Sequence, residues 1–353
     1  MPTSSPNGPA RPHRNRQPAP RKERMADIKV KVSRIEALTP DIKMFEFVAA
    51  EDGAELPLFE AGAHIDVHTG AGVRRSYSLA NDPDETTRYV TAVLHELKGG
   101  GGSRWMHASV KEGDVLTVTA PSNQFPLTDE AGFHLLIGGG IGITPLLAMG
   151  YALARREEDY HLYYCTRSPE ATAFVDEVKT VFGDRVTFIH DGGNVTKGID
   201  LKELLAEPTE DAHLYVCGPA GLIKAARETA GGAGWPEDRV HFELFASTRS
   251  DEEKAEAAAA AGADESFEIE LAQSGLTLTV PADKTILDVL MENGIPVMYT
   301  CEDGWCGNCQ IPLLGGKADH RDEVLTDEEK EENSKIQVCI SRARPGEKLI
   351  LDI

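Results

Sequence analysis

The sequence predicts a multidomain chain in three folded parts: an antiparallel β-barrel domain, an α/β doubly wound domain and a small β-grasp domain. Three observations carry that prediction. Short β-rich runs parted by turn residues fill positions 26–126, buried apolar runs alternating with helical segments extend to 248, and four cysteines in a characteristic spacing lie beyond an alanine-glutamate stretch. A chain of 353 residues exceeds the usual single core, so two or three domains are expected.

Positions 1–25 are expected to be a disordered tail. Residues 1–24 hold six prolines, six Arg or Lys and one Glu, with no hydrophobic periodicity, so they cannot bury enough surface to order themselves. Removing their net +5 from the chain's -22 leaves -27 for the folded body.

From 26 to 126, runs at 28–35, 44–48, 64–68, 74–79, 89–97 and 115–119 read as strands of a small antiparallel barrel. Within it, Arg75-Ser76-Tyr77-Ser78 alternates, so Arg75 and Tyr77 share one face. There a guanidinium could grip a phosphate while the ring packs on a flat cofactor; an ordinary edge strand is the other reading. The glycine run 99–102 before Ser103 and the helix-like 104–107 lets backbone N–H groups converge on a phosphate at a helix N-terminus.

From 127 to 248 the pattern changes. The apolar run 133–137 leads straight into Gly138-Gly139-Gly140-Ile141-Gly142-Ile143-Thr144-Pro145 and then a helix, an arrangement that brings a pyrophosphate against a helix N-terminus without matching the strict dinucleotide fingerprint. Segments at 161–166, 173–182, 186–190, 201–206 and 214–217 continue the βα alternation of a parallel sheet. Gly140, Thr166, Arg167, Cys217 and Gly218 fall at the carboxyl ends of the strands, where such sheets bind ligands.

Positions 249–264 read as a linker and 265–353 as the last domain: two strands around 273–275, a helix over 285–293 stopping at Gly294, and a capping box at Thr326-Asp327-Glu328-Glu329. The order suggests a β-grasp ferredoxin. Cys301, Cys306, Cys309 and Cys339 have the Cys-x4-Cys-x2-Cys…Cys spacing of thiolates around a plant-type [2Fe-2S] cluster. Zinc is the rival, but structural zinc usually pairs two cysteine knuckles, and Cys339 stands without a second cysteine or nearby histidine. Gly304 and Gly307 suit a loop that needs positive φ and close backbone approach.

The acidic balance argues against nucleic acid and anionic membrane surfaces. The last domain alone carries 18 Asp and Glu against 8 Lys and Arg, a net of -10 in 89 residues; a solvated surface explains the larger part of it, and an acidic face beside a redox centre would steer a basic electron acceptor. The two cysteines outside the cluster, Cys165 and Cys217, leave no disulfide framework, and no run approaches the ~20 apolar residues of a membrane helix, so a cytoplasmic setting is expected.

Taken in order, Arg75 to Ser78, Gly138 to Pro145, Cys217-Gly218-Pro219 and the four cysteines resemble the phthalate dioxygenase reductase and vanillate O-demethylase reductase family, over residues 26–353. The resemblance implies an FMN-binding barrel, a nicotinamide-binding domain and a plant-type ferredoxin. It places Arg75, Ser76, Tyr77, Ser78, Val93, Gly101, Gly102 and Ser103 around FMN, and Gly139, Gly140, Ile141, Gly142, Thr144 and Pro145 around the dinucleotide pyrophosphate. Thr166, Arg167 and Ser168 fall on its adenosine side, with Cys217, Gly218 and Pro219 near the nicotinamide. Phe245 resembles the aromatic beside the flavin, and Ser78, Cys217 and Phe245 are the residues expected at the hydride-transfer centre. The family often has an acid after Thr-Arg that would repel a 2′-phosphate; this chain has Ser168 there, and Arg167 could accommodate such a phosphate, so NADPH stays open beside the preferred NADH.

NAD(P)H surrenders two electrons as a hydride whereas a cluster takes one at a time, and a flavin bridges the two. The expected activity is therefore that of an NAD(P)H-dependent iron-sulfur flavoprotein oxidoreductase, passing electrons to a Rieske-type oxygenase component. Reduction of a haem monooxygenase and a non-enzymatic electron carrier are the alternatives.

Overall fold

The computed structural model describes residues 27–70, 74–96, 101–129, 131–208, 211–245, 265–295, 297, 299, 304, 307 and 309–353. The expected tail, the expected linker, Cys301 and Cys306 lie outside the described residues.

The first sheet comprises β1 (Asp27–Ala37), β2 (Ile42–Ala49), β3 (Ala63–His68), β4 (Arg74–Ser78), β5 (Tyr89–Leu94), β6 (Val115–Thr119) and β7 (Ser122–Asn123), with α1 (Gly102–Ser109) between β5 and β6. In β1, Val30 and Val32 enter the core while Lys29 and Lys31 face solvent, the period-two pattern of a half-buried strand. The hydrogen-bonded order is β4-β3-β6-β1-β2-β5, and an antiparallel bridge between Leu79 and Thr91 joins the two ends into a barrel. The short β7 on β3 was not foreseen, and β5 ends at Leu94, earlier than the run of apolar residues suggested.

The second sheet holds β8 (Phe133–Gly139), β9 (Tyr160–Thr166), β10 (Val186–His190), β11 (Ala212–Gly218) and β12 (Val240–Leu244), connected through α2 (Ile143–Arg156), α3 (Val175–Phe182), α4 (Leu201–Leu204) and α5 (Ala220–Gly232). All its pairings are parallel and the order is β10-β9-β8-β11-β12. The chain winds outward from β8 to β10 and then returns to β11, so the switch point lies between β8 and β11, where a doubly wound sheet opens its ligand crevice. One apolar cluster runs from barrel residues such as Phe45, Ile65 and Leu79 into Leu136, Leu146, Tyr164 and Cys217, so the two domains share a core.

The last domain contains β13 (Phe267–Leu271), β14 (Leu276–Val280), α6 (Ile286–Glu292), β15 (Gln310–Gly315), β16 (Ala318–Asp319), α7 (Asp327–Glu332), β17 (Lys335–Gln337), β18 (Arg342–Ala343) and β19 (Leu349–Leu351). The main sheet runs β14-β13-β19-β15-β17, with β13 and β19 parallel in the middle, and α6 lays Ile286, Leu287, Val289 and Leu290 into its core. Both helices start on reciprocal capping boxes, Thr285 with Asp288 and Thr326 with Glu329, each satisfying two otherwise orphaned N–H groups. No helix among the described residues is long and apolar enough to cross a membrane.

Candidate functional site

The barrel's contribution is built on β4. Opposite β3, Arg75 aligns with Val67 and Tyr77 with Ile65, so both lie on one face, while Ser76 lies on the other and its hydroxyl donates to Asp66 Oδ1 at 2.6 Å. Gly101, at φ 85°, turns the chain into α1, which begins at Gly102, two residues before the expected 104. Glycine permits that left-handed turn without strain and so sets the earlier start. No side chain caps α1 and no acid lies in its first turn, which leaves its first N–H groups available to an anion. Arg75 packs into this start: a Cβ on Gly102 would stand 2.4 Å from Arg75 Cγ, and one on Gly101 would stand 3.8 Å from Arg104 Nη2. Two arginines therefore flank the helix N-terminus. Ser103 Oγ accepts from the Glu96 N–H at 3.2 Å, and burial raises the Tyr77 phenol well above its ordinary range. Val93 is buried in β5 and its carbonyl accepts from His107 Nε2 at 2.8 Å.

At the barrel's seam with the parallel sheet, Ser78 is buried, and its hydroxyl donates to Glu243 Oε2 at 3.1 Å. Glu243 stands opposite Cys217 in the β11–β12 register. Desolvation pushes the Glu243 carboxyl up to about 8 against the opposing pull of the Ser78 hydroxyl. Burial, and then the Glu243 carboxyl, hold the Cys217 thiol well above its usual range. Phe245 follows β12, partly buried against the shared core. Ser78 and Cys217 thus meet at one seam through Glu243, which was not singled out, and Phe245 follows Glu243 by two residues along the chain. The signal for Glu243 was present in His241-Phe242-Glu243-Leu244-Phe245, because alternation puts Glu243 and Phe245 on the same face.

The glycine turn after β8 lies against the turn after β11. A Cβ on Gly142 would stand 2.2 Å from the Cys217 carbonyl oxygen, one on Gly139 2.6 Å from Pro219 Cδ, and one on Gly218 2.8 Å from Gly139 Cα. These glycines are therefore required for backbone approach at the switch point, whatever else they bind. Gly140 takes φ 52°, its carbonyl accepts from the Tyr164 hydroxyl at 3.1 Å, and Ile141 packs partly buried on the core. Thr144 Oγ1 donates to the Ile141 carbonyl at 3.1 Å, and Pro145 is buried in the first turn of α2, a turn with no side-chain cap and no acid.

At the carboxyl end of β9, Thr166 Oγ1 meets Thr172 Oγ1 at 2.7 Å and His190 Nδ1 at 2.9 Å, while Arg167 is exposed and Ser168 intermediate. In the last domain, the Val338 N–H donates to the Cys309 carbonyl at 3.3 Å, which sets the buried Cys309 and Cys339 on neighbouring segments. Cys309 Sγ reaches Gln337 Oε1 at 3.4 Å. Gly304 and Gly307 have φ of 76° and 79°. Two enclosed cysteines beside a loop of left-handed glycines fit a cluster-binding loop.

A flavin-type barrel, a nicotinamide-type sheet and a ferredoxin-type β-grasp domain define an NAD(P)H-dependent iron-sulfur flavoprotein oxidoreductase. Family profiles match in the same order: an oxidoreductase FAD-binding domain over residues 29–126, an oxidoreductase NAD-binding domain over 136–228 and a 2Fe-2S iron-sulfur cluster binding domain over 269–344. The vanillate O-demethylase oxidoreductase of Pseudomonas sp. (strain HR199 / DSM 7063) is 41% identical over 92% of this chain and 100% of its own. The heme-dependent oxidative N-demethylase beta subunit of Ectopseudomonas mendocina (strain ymp) is 39% identical over 92% and 98%. The solved phthalate dioxygenase reductase is 40% identical, with a TM-score of 0.67 over 93% of this chain and 98% of that one. The chain belongs to the phthalate dioxygenase reductase and vanillate O-demethylase reductase family.

Proposed function

We propose that this chain is the reductase component of a Rieske-type non-haem iron oxygenase system, carrying electrons from NADH through FMN and a [2Fe-2S] cluster to the oxygenase. The observation that carries the reading is the seam itself. Ser78 of the barrel bonds Glu243 of the parallel sheet beside Cys217, so the flavin-side strand and the nicotinamide-side switch point meet at one place. When bound, the flavin supplies the conversion from hydride to single electrons, and the cluster supplies the one-electron exit.

The chain's own groups bind and orient. The start of α1, with Arg75 and Arg104 beside it, suits the terminal phosphate of a mononucleotide, which favours FMN over FAD. Tyr77 and Phe245 offer aromatic surface to the flavin ring. The turn from Gly139 to Thr144, with Gly218, presents N–H groups to the pyrophosphate, Pro145 and Pro219 shape its flanks without donating, and Thr166, Arg167 and Ser168 receive the adenosine side. The protonated Cys217 thiol gives the nicotinamide an uncharged, water-excluding neighbour, while Ser78 and Glu243 hold a proton at the seam. Cys301, Cys306, Cys309 and Cys339 hold the cluster.

Anaerobic titration with NADH tests the reading: flavin absorption bleaches first and cluster absorption follows, and the flavin released by denaturation has the mass of FMN. Protein that carries no flavin band overturns it. Because one relative is the beta subunit of a heme-dependent demethylase, a haem partner is the second reading. Turnover reconstituted with a haem component but not with a Rieske component would decide for it.

A further inference from the structure

We propose that Asp322 is a positioning residue of the cluster loop and that its carboxylate lowers the reduction potential of the cluster held there. The inference rests on the [2Fe-2S] reading of that loop. The segment after β16 lies against Gly304 and Gly307: a Cβ on Gly304 would stand 3.2 Å from Asp322 Cα, and one on Gly307 would stand 3.4 Å from Val324 Cγ1. The Glu323 N–H donates to the Gly304 carbonyl at 2.9 Å.

The Asp322 side chain is fully enclosed, with no exposed surface. Its Oδ1 accepts from the N–H groups of Val324 at 3.2 Å and Leu325 at 2.8 Å, which fixes the turn in that segment. Its Oδ2 has no hydrogen-bond partner and faces His320 Nδ1 at 3.9 Å, a buried atom equally without one. Lys330 Nζ reaches only the Asp322 main-chain carbonyl, at 2.8 Å.

The turn needs one acceptor, which an Asn or a Ser would supply. A carboxylate goes beyond that need, and its second oxygen stays enclosed without a donor. Reduction of the cluster adds one negative charge to the neighbouring loop. A fixed negative group in low-dielectric surroundings opposes that addition, which lowers the potential of the cluster.

The test is spectroelectrochemical titration of the flavin- and cluster-loaded protein as the parent, Asp322→Asn and Asp322→Ser. Both variants keep an acceptor for the turn and remove the charge. Each is expected to retain its cluster while its reduction equilibrium shifts about tenfold toward the reduced form, ~59 mV upward for one electron. Reduction of the flavin by NADH serves as the control and should not change. Should one variant fail to assemble, the other is read in the same way. An unshifted potential in either variant, or loss of the cluster from both, overturns the proposal. A parent without iron-sulfur absorption would instead refute the reading on which it rests.

Discussion

Glu243→Gln is the perturbation that isolates the chemistry of the seam. Glutamine keeps the shape and an acceptor for the Ser78 hydroxyl but carries no charge. In the parent, desolvation moves the carboxyl from 4.5 to about 8, which corresponds to ~5 kcal/mol against the ionised form. Glu243 retains partial exposure, so solvent screening brings the expected effect down to roughly 2–3 kcal/mol. The folded protein binds this proton more tightly than the unfolded chain does. The resulting stability is fully present below pH 4.5 and is lost as pH rises through about 8. Thermal melting of the flavin–nicotinamide unit, followed by flavin fluorescence, reads it. Parent and variant should melt together near pH ~5, and the variant should melt about 5–10 °C higher near pH ~8.5. The rate of flavin reduction by NADH should also show an inflexion near pH 8 in the parent that the variant lacks. A melting difference that stays constant across this range would refute the account of a carboxyl kept protonated by its surroundings.

Two glycine replacements should separate folding from binding. Gly142→Ala sets a methyl 2.2 Å from the Cys217 carbonyl oxygen, main chain that cannot move aside, so the denaturation midpoint should show a loss of about 1–3 kcal/mol. Gly102→Ala meets only the flexible stem of Arg75, so stability should hold while the dissociation constant for flavin rises about tenfold, ~1.4 kcal/mol, in a fluorescence titration. Cys306→Ser should abolish cytochrome c reduction yet leave NADH-driven bleaching of the flavin intact; loss of both would show that the domains do not act in series.

Much of the fold was legible because its signals are local. Alternation in stretches such as Val30 and Val32 between lysines announces half-buried strands, and the apolar run before Gly138 announces a buried parallel strand. Contributions that depend on distant partners were harder to read. A glutamate in a strand is ordinary until the fold brings it against Ser78, 165 residues away in sequence. Gly139 and Gly142 could be read as a phosphate turn, but only the β8–β11 contact shows that backbone packing demands them too. Arg104 looked like one residue of a short helix until Gly101 turned that helix toward Arg75. Asp322 carries no motif, and its enclosure becomes visible only where Gly304 folds onto it.

The apolar core shared by barrel and parallel sheet also bears on how such a chain can be rebuilt. Side chains from both domains fill one interior, so the flavin and nicotinamide parts form a single inheritable unit: exchanging either alone would leave mismatched surfaces at Leu79, Leu146 and Cys217. The β-grasp domain closes on its own set of side chains, around Ile269, Leu290 and Leu349. It is the exchangeable cassette, and re-addressing the electrons to a different acceptor calls for grafting that portion alone.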